Sequence, residues 1–207
     1  MRVGVMGGTF DPVHLAHLLI AEEARLELDL ERVIFMPAGQ PWLRADERLS
    51  PAVDRLRMVE LAVASNPYFE TCSREIDRGG TTYTVDTLEE MVERSDEDTR
   101  IFFIVGADAL AEFQRWKNPE RILELCELAV VSRLGHGDFD RKDWEARFSG
   151  GASKVNILKT PQIGISGSDI RSRASRGESL RYMVPESVAE YIREHNLYQT
   201  ERDSDGP

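Results

Sequence analysis

Short, wholly apolar runs alternate along this chain with segments whose apolar residues recur at helical spacing. Arg2 to Met6 reads as a buried strand that closes on Gly7-Gly8. Positions 14–28 follow as a helix, with Leu15, Leu18, Leu19, Ala24 and Leu28 forming much of one stripe. Val33 to Met36 is a second strand, stopped by Pro37, and a loop runs on to Leu49. Ser50-Pro51 then reads as a helix cap followed by proline at the first helical position. A short strand is expected over 72–76, a turn at Arg78-Gly79-Gly80, and a helix capped by Thr84 that runs to about Arg94.

The second half repeats the alternation. Ile101 to Val105 is apolar throughout and closed by Gly106, as a parallel strand covered on both faces would be. Asn118-Pro119 opens a helix, Leu128 to Val131 is another buried strand, and 134–153, with four glycines, reads as irregular. Val155 to Leu158 suits an edge strand, and helices are expected over 168–175 and 185–195. Strands alternating with helices predict an α/β fold, with a mainly parallel, doubly wound sheet and helices on both faces. In such folds ligands sit beyond the carboxyl ends of the strands. That directs attention to 7–17, 37–44, 106–108 and Ser132-Arg133.

Composition narrows the function classes. A chain of 207 residues fits one domain, here read as 1–198 with a helical C-terminal part from about 166 and a polar, disordered tail over 199–207. No apolar run approaches the roughly 18 residues of a membrane span, and the start lacks the pattern of a signal peptide. Cys72 and Cys126 form neither a disulfide framework nor a metal spacing, which fits reduced thiols in a cytoplasmic protein. The net charge of -11 argues against nonspecific nucleic-acid binding. Any anionic substrate must therefore be held by cationic and N–H groups gathered at one place.

The stretch from Gly7 to His17 can do that gathering. Glycines after a strand let backbone approach a ligand, and a helix start offers N–H groups and a positive dipole end to phosphate. His14 and His17, three residues apart, can both donate to phosphate oxygens. Taken alone, the pair would more often be surface histidines at a tight turn. The glycine spacing is not that of a dinucleotide fingerprint, the second strand does not end in the acidic residue that would hold a ribose, and no Gly-Lys-Ser/Thr follows.

The segment GGTFDPVHLAH, residues 7–17, resembles the G-G-x-F-D-P-x-H-x-G-H signature of the nucleotidylyltransferase superfamily, with Ala16 where a glycine is usual. The segment ISGSDIRSR, residues 165–173, resembles the I-S-S-T-x-I-R element of the same superfamily, with Gly167 and Ser168 replacing Ser-Thr. MPAGQPW (36–42), RGGTTYTVDTL (78–88) and FFIVGADAL (102–110) are similar to stretches of the bacterial nicotinate-mononucleotide adenylyltransferases. The resemblance covers residues 1 to about 198.

It implies a Rossmann-like fold and adenylyl transfer from ATP to nicotinate mononucleotide, with Mg²⁺ accompanying ATP and no metal site of the protein's own. It implies His14, His17 and Arg171 as the catalytic set. ATP would meet Gly7, Gly8, Thr9, Phe10, His17, Arg44, Gly106, Asp108, Ser166 and Arg171. The mononucleotide would meet Thr84 and Trp116, although Lys117 stands where a tyrosine is common after this tryptophan. Arg133 could touch the adenine side or lie on the surface. Another phosphate acceptor (the amidated mononucleotide or phosphopantetheine), a non-catalytic nucleotide sensor, and self-association into a homo-oligomer stay open at this point.

Overall fold

The computed structural model describes residues 1–42, 49–131, 139–161 and 163–199. Six of its strands are β1 (Arg2–Gly8), β2 (Arg32–Pro37), β4 (Phe69–Thr71), β6 (Arg100–Gly106), β7 (Glu127–Val131) and β8 (Val155–Leu158). They form one sheet in the order β4-β2-β1-β6-β7-β8, every neighbouring pair parallel. The chain winds outward from β1 in one direction, returns, and winds outward from β6 in the other. The crevice between β1 and β6 is thus the topological switch point where doubly wound sheets bind ligands. A second, two-stranded parallel pair, β3 (Gln40–Pro41) with β5 (Thr81–Thr82), lies beyond the end of β2.

The period-2 alternation of the central strands divides their side chains between two cores. Phe102, Ile104, Ala129 and Val131 face one side, in a core they share with Ala21 and Ala24 of α1 (Leu15–Glu27) and Met58, Val59 and Ala62 of α2 (Ala52–Val63). That core also takes Ile170 of α8 (Gly167–Ser175) and Val188 and Ile192 of α9 (Glu186–Glu194). Ile101, Phe103, Val105, Leu128 and Val130 face the other side. There they meet Val85, Leu88 and Met91 of α4 (Thr84–Glu93), Leu110 of α5 (Ala107–Ala111), Ile122 and Leu123 of α6 (Pro119–Leu125) and Trp144 of α7 (Arg141–Arg147). The C-terminal helices therefore complete a shared core. No described helix is long and apolar enough to cross a membrane.

Four local expectations need correction. The strand expected over 72–76 ends earlier, at Thr71, and Arg74–Arg78 forms a short helix, α3. Its Glu75 turns inward and is buried. Within 134–153, Asp140 caps α7 by accepting from the backbone N–H groups of Lys142 and Asp143. Ser50 does not cap α2: Pro51 stands at the cap, while the Ser50 N–H donates to Asp11 Oδ2 at 3.2 Å. Likewise Tyr83, not Thr84, is the cap of α4, and Thr84 is its first residue.

Candidate active site

A cavity of about 330 Å³ opens at the switch point. Gly7 and Gly8 at the end of β1, with Thr9 and Phe10 after it, form one wall. Phe103, Val105 and Gly106 at the end of β6 form the opposite wall. Ala38, Pro41 and Trp42 enter from the loop after β2, and Glu75, Thr82, Thr84 and Trp116 close the far end. This is the size and setting of a small-ligand site: largely apolar walls with a few convergent polar groups.

The two histidines do different things. His14 has extended backbone and caps α1 from outside, and its ring is buried. His17 lies one turn in and lines the cavity. Their rings stack at 3.7 Å, and Phe10 abuts His17 edge-on at 5.1 Å. The His14 backbone N–H donates to His17 Nδ1 at 3.2 Å. An Nδ1 that accepts leaves the neutral ring's proton on Nε2, and packing on two sides holds the ring in place. The i,i+3 spacing thus brings one histidine to the cavity and stacks the other against it.

The second signature meets the first through backbone. Ser166 caps α8 by accepting from the Asp169 N–H at 3.2 Å, as its position before the helix implied. Arg171, on α8, donates through Nη1 to the Asp11 carbonyl at 2.7 Å. Gly167 passes close beneath: a Cβ there would stand 3.1 Å from the same carbonyl and 3.3 Å from Arg171 Nη1. A side chain at this departure from the signature would press on Arg171 and the loop by a few tenths of an ångström. Neither Ser166 nor Arg171 is among the residues lining the cavity, and Asp108, exposed in the first turn of α5, is not either. Arg44 and Arg133 lie outside the described residues, as do positions 200–207 of the expected tail.

At the far end, Trp116 stands at 6.0 Å from Phe103, nearly perpendicular, and at 5.4 Å from Phe113. Phe113, Trp144 and Phe148 pack around one another behind it, which fixes the indole as a flat wall. Lys117 turns away: its Nζ donates to both Asp86 oxygens, at 2.8 and 3.0 Å, and sits over the Tyr83 ring. Glu75 is a buried carboxylate in the lining; burial raises its pKa, and the Thr87 hydroxyl, donating at 2.7 Å, works against that shift.

Several residues escaped the sequence reading. Arg55 is 1% exposed in α2, and four backbone carbonyls around the cavity accept from its guanidinium. The cue was present, since Arg55, Met58, Val59 and Ala62 share one helical phase, which puts a cation in the apolar stripe. Tyr198 donates its hydroxyl to Asp11 Oδ1 at 2.7 Å, and burial, then the Asp11 charge, push the phenol pKa far up. Trp42 follows β3 in a loop and Glu75 sits in the five-residue helix α3, so no periodicity marked either.

Comparison with known proteins gives concordant findings. The cytidylyltransferase-like family profile matches residues 5–173. A probable nicotinate-nucleotide adenylyltransferase of Dehalococcoides mccartyi is 41% identical over 96% of this chain and 97% of its own. One from Salinispora arenicola is 44% identical over 94% of this chain and the whole of its own. Among solved structures, the nicotinic acid mononucleotide adenylyltransferase of Plasmodium falciparum complexed with NaAD superposes with a TM-score of 0.75 at 18% identity. It covers 95% of this chain and 97% of its own, a likeness of fold.

Proposed function

Since the chain belongs to the cytidylyltransferase-like family, and within it to the nicotinate-nucleotide adenylyltransferases, we propose that it transfers the adenylyl group of ATP to nicotinate mononucleotide. The products are nicotinate adenine dinucleotide and pyrophosphate. A 5′-phosphate oxygen of the mononucleotide bonds to the α-phosphorus of ATP, and the bond from that phosphorus to the bridging oxygen of the β-phosphate breaks. Such a transfer asks for position and charge stabilisation rather than a covalent intermediate.

The observation that carries this reading is the orientation of His17. Its Nδ1 accepts from the His14 N–H and its ring lines the cavity, which supports Nε2–H as the group that donates to a charge growing on the α-phosphate. His14 serves by stacking and by that N–H. The glycines of β1 and the start of α1 receive phosphate oxygens on backbone N–H groups. Arg171, anchored on the Asp11 carbonyl, and Ser166 take the β,γ end, with Arg44 assisting. Gly106 and Asp108 hold the adenosine part. Thr84 and the Trp116 face take the pyridine mononucleotide, whose ring suits an indole wall. Among the described residues no cluster of three or more His, Cys, Asp or Glu is placed to hold a metal. Mg²⁺ enters as part of the MgATP substrate, where it would neutralise the triphosphate and leave with pyrophosphate.

The test is pyrophosphate release from MgATP with nicotinate mononucleotide, nicotinamide mononucleotide or phosphopantetheine as acceptor. Release with the first in preference to the others is expected. Release with none would favour a nucleotide sensor. His17→Ala should lower kcat by about 10²–10³-fold, and near-normal turnover would remove His17 from its assigned place.

A further inference from the structure

Arg55 does not line the cavity, yet its guanidinium is bound to the segments that do. Nη1 donates to the Thr9 carbonyl at 2.8 Å and to the Ala38 carbonyl at 2.7 Å. Nη2 donates to the Gly39 carbonyl at 2.9 Å, and Nε to the Ser50 carbonyl at 3.0 Å. Thr9 belongs to the loop after β1, which meets phosphate. Ala38 and Gly39 belong to the loop after β2, on the acceptor side. The ladder between β1 and β2 ends with the Ala38 N–H donating to the Gly8 carbonyl at 2.9 Å, and beyond it one buried planar fork adds the side-chain link between the two loops. Gly39 is obligatory in this arrangement, since a Cβ would stand 2.5 Å from the Glu75 carbonyl oxygen. Burial depresses the pKa of Arg55 and the nearby Asp11 carboxylate opposes that.

We infer that Arg55 is a positioning residue for adenylyl transfer, holding the phosphate loop and the acceptor loop in register so that the two substrates meet in line. The inference rests on the adenylyltransferase reading above. A lysine could reach one or two of these carbonyls but cannot span all four, because only the guanidinium presents several donors in one rigid plane. Each substrate binds mainly to its own side of the cavity. Loss of the fork should therefore spare the separate affinities and damage their alignment, and misplacement by about 1 Å can cost around 100-fold in rate.

The experiment compares wild type, Arg55→Lys and Arg55→Met. It measures far-UV circular dichroism, the stoichiometry and Kd of ATP and of nicotinate mononucleotide separately by calorimetry, and steady-state kcat. Arg55→Lys is expected to bind one equivalent of each ligand with Kd within about threefold of wild type, while kcat falls roughly 100-fold. A kcat per competent site within twofold of wild type in Arg55→Lys would overturn the inference. So would a kcat loss that merely follows a reduced binding stoichiometry, which is what a purely structural arginine gives. If Arg55→Met fails to fold, the lysine variant decides; if both fail, the positioning claim is also overturned, because the fold then does not stand without the fork. Wild-type turnover is read in parallel, so failure of the adenylyltransferase reading shows there, before any variant is compared.

Discussion

Tyr198→Phe isolates a single hydroxyl that joins the end of the described chain to the signature loop. The phenylalanine ring fills the same space, so apolar packing is kept. What disappears is the donor to Asp11 Oδ1 at 2.7 Å. Asp11 is 5% exposed, and its other described donor, the Ser50 N–H, is longer at 3.2 Å. A hydrogen bond to a charged, buried group contributes about 1.5–3 kcal/mol. A loss of about 2 kcal/mol changes the folded-to-unfolded ratio roughly 30-fold and lowers Tm by about 4–8 °C for a chain of this size.

Urea unfolding followed by tryptophan fluorescence and circular dichroism should move its midpoint with the slope unchanged. The difference from wild type also has a pH signature. Because the folded phenol pKa is raised, its stabilisation is full below the ordinary tyrosine range near about 10 and erodes as pH rises beyond it. A difference below about 0.5 kcal/mol at pH 7 would refute the reasoning, placing this bond in the range of ordinary surface changes. Asp11→Asn combined with Tyr198→Phe in a double-mutant cycle should return a coupling energy of the same order as the single loss.

Glu75→Gln tests the buried carboxylate of the cavity wall. Its folded pKa is raised by burial, so its contribution to stability is full below the usual carboxylate range and is lost as pH rises through the shifted value. The variant's Tm relative to wild type should therefore climb as pH increases above about 4.3, and a flat difference from pH 4 to 8 would contradict the burial argument. For the thiols, Cys126 is buried and pushed up to about 12, while Cys72 is half-buried. An aromatic disulfide reagent at pH 8 should titrate Cys72 in the folded protein and both thiols in urea; equal native rates would show that Cys126 is accessible.

The legible parts of this molecule were those written in local pattern. Ile101 to Val105 announces a buried parallel strand because every position is covered on one face or the other, and β6 duly lies at the centre of the sheet. α7 was missed because its one buried residue is Trp144, and a single apolar position sets no period. Glu75 misled in the opposite way, as a carboxylate at an inward position of a short helix. At the site, the glycines, His17 and the Ser166 cap follow from strand-to-helix chemistry within a few residues. Tyr198 and the Arg171 anchor do not, since their acceptors lie 187 and 160 residues away, and one of the four Arg55 acceptors, Thr9, lies 46 away. Such bonds satisfy buried backbone and carboxylate groups that a linear reading cannot pair.

The tie between Asp11 and Tyr198 also sets a clock. Synthesis runs from the N-terminus at about 5–20 residues per second. The carboxylate of the signature loop is therefore made roughly 10–40 s before the hydroxyl that meets it, given their 187-residue separation. Throughout that interval a growing chain can own the glycine turn, both histidines and most of the sheet, yet lack the phenol that holds the loop and, for most of it, the Arg171 fork as well. A nascent polypeptide of this sequence is thus kept from closing the loop around Asp11 until residue 198 has been made, so the order of synthesis sets when the strand-to-helix turn is tied down.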